Sequence, residues 1–276
     1  MTGLVDTHAH LQEPEFSDDA DEVIGRAKDA GVTLLVLPAV DLASARSGLE
    51  IARRHEGVFA TAGYHPHEAS KLDADSLQEI EALLGDPQVV AVGEIGLDFF
   101  RMHSSREEQV VALDSMLALA EQHTMPVVVH CRDAWEAMAE QLAPWARRVA
   151  PAFAGRPVGV MHYFSGTLEE ARRYIDLGFV LSVHTSVTHP KQQALRDVVA
   201  QLPLASLVIE TDSPYGAPQA YRGKRNEPSY VIEAAKQVAI LHDAPLDYIC
   251  NVTSANARRL FNPSCRGRTG ATGGQA

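Results

Sequence analysis

Six side chains in this sequence have the types and spacing to hold divalent cations: His8, His10, Glu94, His130, His162 and Asp212. His8 and His10 follow the apolar pair Leu4-Val5, and residues two apart on an extended chain point the same way. Each of the other four also stands in or just after an apolar run: Glu94 in VVAVGEIGLD, His130 in PVVVHCR, His162 in PVGVMHYF and Asp212 in SLVIETDSP. Imidazoles and carboxylates are the donors expected for Zn or Mn, and somewhat less so for Mg. Six such donors suit a two-metal site in which one carboxylate bridges cations ~3.5–4 Å apart. Singly, each has an ordinary explanation: a satisfied core histidine, backbone glycines at Gly93 and Gly96, a helix cap at ETDSP. Six of them at the same end of five different runs do not.

The elements that must position these groups recur along the chain. Apolar, β-rich runs occupy residues 3–10, 32–40, 58–66, 89–98, 126–132, 157–164, 178–186 and 206–214. Several are near-continuous Val/Ile/Leu, as in strands buried on both faces. Helical spacing fills the intervals at 19–30, 43–54, 75–84, 106–123, 135–149, 168–177 and 192–202, and continues at 230–241 and 246–260. Gly31 is placed as a C-terminal cap for the first helix. Eight strand–helix repeats without an internal linker predict an α/β fold, a parallel (β/α)8 TIM-type barrel in a single domain over 1–265. An open doubly wound sheet is the alternative. The final RGRTGATGGQA, 266–276, is expected to be a flexible tail. In a barrel the C-terminal strand ends share one mouth, where active sites lie. That mouth also receives His65, His67, Asp98, Arg132, Ser182, His184 and Glu210. His55, His103, His123, His189 and His242 fall on expected helices or loops and are given no role.

The bulk properties bound the function. A net charge of −12 argues against a broad basic surface that wraps duplex nucleic acid. It leaves room for a phosphate-bearing substrate, because bound cations reverse the local sign. Three unpatterned cysteines, Cys131, Cys250 and Cys265, read as reduced thiols and predict a cytoplasmic protein. There is no basic n-region with an apolar stretch behind it and no run of ~18 apolar residues, so neither a signal peptide nor a membrane span is expected.

With these motifs in view, the chain resembles the TatD-type metal-dependent deoxyribonucleases of the amidohydrolase-like superfamily of barrels. The likeness is carried by DTHAHL (6–11), AGYHPHE (62–68), GEIGLDFF (93–100), VVVHCRDA (127–134), HYFSG (162–166), ETDSPY (210–215), RGKRNEP (222–228) and NARRLF (256–261). It implies two divalent metal ions, Zn, Mn or Mg. His8, His10, Glu94 and Asp212 would hold the first; Glu94 would bridge to a second held by His130 and His162. Asp212 would also touch the attacking water, and His65 and His67 would line the substrate pocket. Three positions depart from the family pattern: Tyr163 where Cys is common, Tyr221 where His is common, and His184, where no histidine is expected.

The expected chemistry is phosphodiester hydrolysis by a two-metal-activated water, with Glu94 and Asp212 as the catalytic carboxylates and Asp212 orienting the water and taking its proton. Arg222, Lys224 and Arg225, shortly after Asp212, are expected to supply cationic phosphate contacts. The predicted substrate is DNA, single-stranded or at frayed ends, with no membrane and no obligate protein partner. The alternative is a hydrolase of an amide, lactone or phosphotriester in the same superfamily. Some of its members bridge metals through a modified lysine, but no Lys ends a central strand here. A non-catalytic metal-stabilised scaffold is a third reading, disfavoured because a scaffold has no need of an open two-metal site.

Overall fold

A computed structural model describes residues 3–262. Eight strands, β1 (Leu4–Asp6), β2 (Val32–Leu37), β3 (Val58–Ala62), β4 (Val89–Asp98), β5 (Val127–Arg132), β6 (Gly159–Met161), β7 (Phe179–His184) and β8 (Leu207–Glu210), form one sheet in chain order. Each is parallel to the next. The helices between and after them are α1 (Ala20–Asp29), α2 (Leu42–Arg54), α3 (Ala74–Leu83), α4 (Arg106–Gln122), α5 (Trp135–Phe153), α6 (Leu168–Asp176), α7 (Gln193–Val199), α8 (Val231–Leu241) and α9 (Leu246–Phe261). The sheet closes on itself just past the strand ends. Thr7 N donates to Ile209 O at 3.2 Å, Asp212 N to His8 O at 2.9 Å and His10 N to Ser213 O at 2.7 Å. The fold is therefore the (β/α)8 barrel, not the open sheet. The expected tail, 266–276, lies outside the described residues.

Side-chain alternation explains how the barrel positions polar groups. Val128, Val160, Val180 and Val208 lie in the interior cluster with Val5, Leu34, Val36 and Val90, closed below by Leu260 and Phe261 of α9. Two residues further along those four strands stand His130, His162, Ser182 and Glu210, on the same face by the two-residue period. A dry aliphatic plug thus carries a polar layer directly above it. The outer strand faces pack on the helices, which is why all ten residues of β4 are buried.

Helix starts are written locally. Capping boxes at Asp41/Ser44, Asp73/Ser76, Ser105/Glu108 and Thr167/Glu170 begin four of the helices. Gly31, at φ +88°, follows α1 as a C-terminal glycine should. Two boundaries differ from expectation. α5 runs on to Phe153 through Pro144 and Pro151, because its buried face, Met138, Leu142, Trp145, Val149 and Phe153, keeps helical spacing throughout. α7 stops at Val199, short of the periodic pattern. β1 and β6 are shorter than their apolar runs, since the chain leaves the ladder where its polar residues enter the mouth.

Candidate metal centre

Glu94 is the hub of the mouth, and two glycines let it sit there. A Cβ at Gly93 would stand 2.7 Å from Cβ of Val128, and one at Gly96, at φ +147°, would strike the His130 carbonyl. β4 can approach β5 this closely only without those side chains. The Glu94 carboxylate then divides its two oxygens. Oε2 faces His8 Nε2 at 3.2 Å and His10 Nε2 at 3.8 Å. Oε1 faces His130 Nδ1 at 3.0 Å, His65 Nε2 at 3.5 Å and His162 Nε2 at 3.7 Å. Asp212 Oδ1 completes the first group, 3.7 Å from His8 Nε2 and 3.6 Å from His10 Nε2.

These separations can be tested against a cation. Four donors at ~2.0–2.2 Å from a tetrahedral ion lie ~3.3–3.6 Å from one another. His8 Nε2 and His10 Nε2 are 3.1 Å apart, and their separations from Glu94 Oε2 and Asp212 Oδ1 run from 3.2 to 3.8 Å. His8, His10 and Asp212 converge closely enough for one such ion, with Glu94 Oε2 beside both imidazoles. Their charge states differ: burial would lower His10, but the hydrogen bond and charge of Asp212 outweigh it and raise this imidazole. Burial, aided by His162, pushes His8 down to about 3, leaving its ring neutral with a lone pair free. Burial alone would raise Glu94, but the imidazole of His162 and the hydrogen bond to His130 help outweigh it and hold the carboxyl well below its usual range.

Side chains beneath and beside the hub hold it in place. The buried Asp6 carboxylate accepts from Thr211 N at 2.9 Å, Thr211 Oγ1 at 2.6 Å and His8 N at 3.3 Å, tying the His8 segment to the Asp212 segment. Asp212 adopts φ +58°, a left-handed conformation that a non-glycine residue holds only when its surroundings fix it. Glu210 Oε1 lies 3.0 Å from His162 Nδ1 and accepts from Tyr163 N at 2.7 Å, which leaves His162 Nε2 facing Glu94. Asp98 Oδ2 lies 2.8 Å from His67 Nε2 and 3.2 Å from His130 Nε2. Sequence reasoning placed Asp98 and Glu210 at the mouth without a role. The available signal was spacing: Asp98 is four residues from Glu94 on one strand, hence on its face.

Both expected substrate histidines line the cleft. His65 also joins the hub, as close to Glu94 Oε1 as His162 is. His67 lines the cleft and stacks on His103, centroids 4.6 Å apart. Arg225 is held in an ion pair away from the cleft lining. Its guanidinium bonds both Asp19 carboxylate oxygens at 2.9 and 2.6 Å, also reaches the Glu15 carbonyl, and lies over the Phe16 ring. It braces the loop against the start of α1. Arg222 and Lys224 are exposed and outside the lining of the cleft, whose arginines are Arg101 and Arg132. The departures from the family pattern are also tied up. Tyr163 stacks on His184 at 3.6 Å, Ser186 bonds both, and Tyr221 stacks on Tyr230 at 3.8 Å.

The cleft over the hub has a volume of about 320 Å³ and adjoins another of about 460 Å³ that shares Arg101, Arg132, Asp212 and Tyr215. A larger cavity of about 590 Å³ lies at the opposite end of the barrel, against Val32, Leu34, Val58 and Phe59. It gathers no histidine and no pair of carboxylates, so size is a poor guide to chemistry here.

The chain is similar along nearly its whole length to known proteins. The profile of the family described as "TatD related DNase" matches residues 5–262. The 3′-5′ ssDNA/RNA exonuclease TatD of Klebsiella pneumoniae is 34% identical over 269 residues, covering 96% of this chain and all of that protein. A metal-dependent hydrolase of Bacillus subtilis, YabD, is 35% identical over 258 residues, covering 94% of this chain and 98% of that one. The solved structure of YjjV, a TatD homologue from Escherichia coli, superposes with a TM-score of 0.86 at 34% identity, over 94% of this chain and 98% of that one.

Proposed function

Because the chain belongs to the family of TatD related DNases, we propose that it is a metal-dependent phosphodiesterase that hydrolyses single-stranded nucleic acid, DNA foremost, at ends or frayed segments. The observation that carries this reading is Glu94, one carboxylate with a separate group of imidazoles on each oxygen. His8, His10, Asp212 and Glu94 would hold one divalent cation. Glu94, His130 and His162 would hold the second, with His65 beside them. When bound, such cations supply Lewis acidity that offsets charge on the phosphoryl oxygens and makes a water easier to deprotonate.

The rest belongs to the chain itself. The Asp212 carboxylate, fixed by its backbone bond to His8 O, orients the attacking water and accepts its proton. Arg101 and Arg132 meet the non-bridging phosphate oxygens from the cleft wall, where guanidinium geometry suits bidentate contact. Arg222 and Lys224, exposed on the loop after β8, are outlying cations for phosphates further along a strand. Asp98 fixes His67 and His130, and Glu210 fixes His162. The two cleft arginines favour an anionic substrate over the neutral amide or lactone of the alternative reading. No helix among the described residues is long and apolar enough to cross a membrane. The unpaired, buried Cys131 and Cys250 suit the reducing cytoplasm, which is where this reading puts the protein.

The test is a panel of single-stranded DNA, RNA, duplex DNA and a lactone, each with Zn, Mn or Mg added. Cleavage of single strands well above duplex is expected. Lactone turnover with intact oligonucleotides would overturn the reading.

A further inference from the structure

The rim of the cleft carries aromatic surface that the chemistry above does not use. The exposed large apolar side chains among the described residues are Phe100, Met102, Val111, Tyr215, Ile240 and Tyr248. Val111, Ile240 and Tyr248 lie on the outer helices α4, α8 and α9. Phe100, Met102 and Tyr215 lie on the loops after β4 and β8, beside the cleft. Phe100 is 58% and Tyr215 54% exposed, so each ring keeps much of its surface open to a ligand.

Both rings are held, not loose. Phe100 N and Arg101 N donate to Asp98 Oδ1 at 2.9 and 2.8 Å, so the carboxylate that orients His67 and His130 also sets this loop. The Arg132 guanidinium lies 3.9 Å over the Phe100 ring and lines the cleft with Arg101. On the other wall, Tyr215 N donates to Asp212 O at 2.8 Å, and the Tyr215 ring stands edge-on to His10 at 6.4 Å. Each ring is therefore tied through its backbone to a carboxylate-bearing residue of the mouth, with the cleft arginines close by.

Resting on the nuclease reading, we propose that Phe100 and Tyr215 are the two jaws of a stacking clamp for unstacked nucleobases flanking the phosphate that is cut. Planar rings beside cations match the alternation of base and phosphate in a single strand. A duplex keeps its bases stacked internally and offers these rings nothing. The net charge of −12 adds a reason for the clamp: a chain that repels polyanions overall needs a contribution from stacking that salt does not screen. Stacking on an aromatic ring accepts every base, so the clamp selects single-strandedness and not sequence.

The test uses the metal-loaded full chain with Phe100→Ala, Tyr215→Ala, and the ring-keeping Phe100→Tyr and Tyr215→Phe. Each alanine variant is expected to raise KM for a single-stranded oligonucleotide ~5- to 100-fold while kcat changes little, and the ring-keeping variants to stay near wild type. Oligonucleotides with abasic positions beside the scissile phosphate should show the same loss on the wild type and no further loss on the alanine variants. A phosphorothioate-blocked strand carrying 2-aminopurine, which reports binding without turnover, should be quenched by the wild type and not by the alanine variants. If the wild type cleaves oligonucleotides but the alanine variants lose nothing, or lose equally on abasic and base-bearing strands, the clamp is overturned and the nuclease reading stands. If the wild type cleaves no oligonucleotide, both fall.

Discussion

Glu94 lies within strand β4 and Arg225 on the loop after β8, and the two stand in opposite relations to the barrel. Glu94 is 2% exposed, and its neighbours come from the ends of several other strands. Arg225 lies on a long loop, and its partners are Asp19 and Phe16, just before α1. The floor of the mouth is built on the ladder of the sheet, so each side chain inherits the direction that alternation gives it. The rim is built on loops, so a cation there goes wherever a carboxylate can be found. Residue type and strand alternation together set the positions of the floor side chains, whereas at the rim at least one of three closely spaced basic residues, Arg225, is engaged as a structural brace.

The sharpest way to break this contrast is at the floor. Glu94→Gln leaves the size of the side chain but removes the charge that faces both groups of imidazoles. Losing several kcal/mol of charge stabilisation corresponds to a fall on the order of 10³-fold or more in kcat/KM. Elemental analysis should show bound metal falling with it; unchanged metal and turnover would remove Glu94 from the centre. Asp212→Asn comes next, with kcat expected to fall on the order of 10²–10⁴-fold and KM little changed. A rise in KM alone would make Asp212 a binding residue. One layer further out, Glu210→Gln should cost ~10- to 100-fold in metal affinity or activity, because it frees His162 to rotate. A metal titration identical to wild type would show that the barrel wall alone orients that ring.

The rim should respond differently. Arg101→Ala with Arg132→Ala should weaken oligonucleotide turnover and flatten its dependence on log salt by ~0.7 for each phosphate that is no longer neutralised. The Arg222→Ala, Lys224→Ala pair should change both less. The reverse order would restore the loop after β8 as the main phosphate-binding element. Arg225→Ala should leave kcat near wild type and cost ~0.2–1 kcal/mol of stability, the range of exposed ion pairs. That penalty should depend on pH. The Arg225 hydrogen bond holds the Asp19 carboxyl below its usual range, so the pair stabilises above the unfolded carboxyl's pKa and stops doing so as pH falls through the depressed value. Denaturant melts at pH 7 and pH 3 should show the gap closing in acid. A large loss of kcat in this variant would mean that the brace shapes the cleft after all.

How much of the site was legible follows the same division. His8, His10, Glu94, His130, His162 and Asp212 could be read from the sequence because each stands in or just after an apolar run. The period of two and the parallel order of strands then place all such ends together. Those are local properties repeated eight times. What attaches to those residues was not legible. His65, assigned to the pocket, lines it and also stands at the hub, 3.5 Å from Glu94 Oε1. Tyr163 and His184, two separate departures from the family pattern, stack on each other.

The sequence by itself determined the repeating strand and helix and the donors at the strand ends, since periodicity and capping act within a few residues; closure into a barrel was decided by the backbone bonds that join the ends of β1 and β8. Only the tertiary structure decided which groups those donors meet. Thr211 reaches Asp6 across 205 residues, Arg225 reaches Asp19 across 206 and His67 reaches Asp98 across 31. Such pairs depend on where the closed chain brings distant loops past one another, and no spacing along the sequence records that.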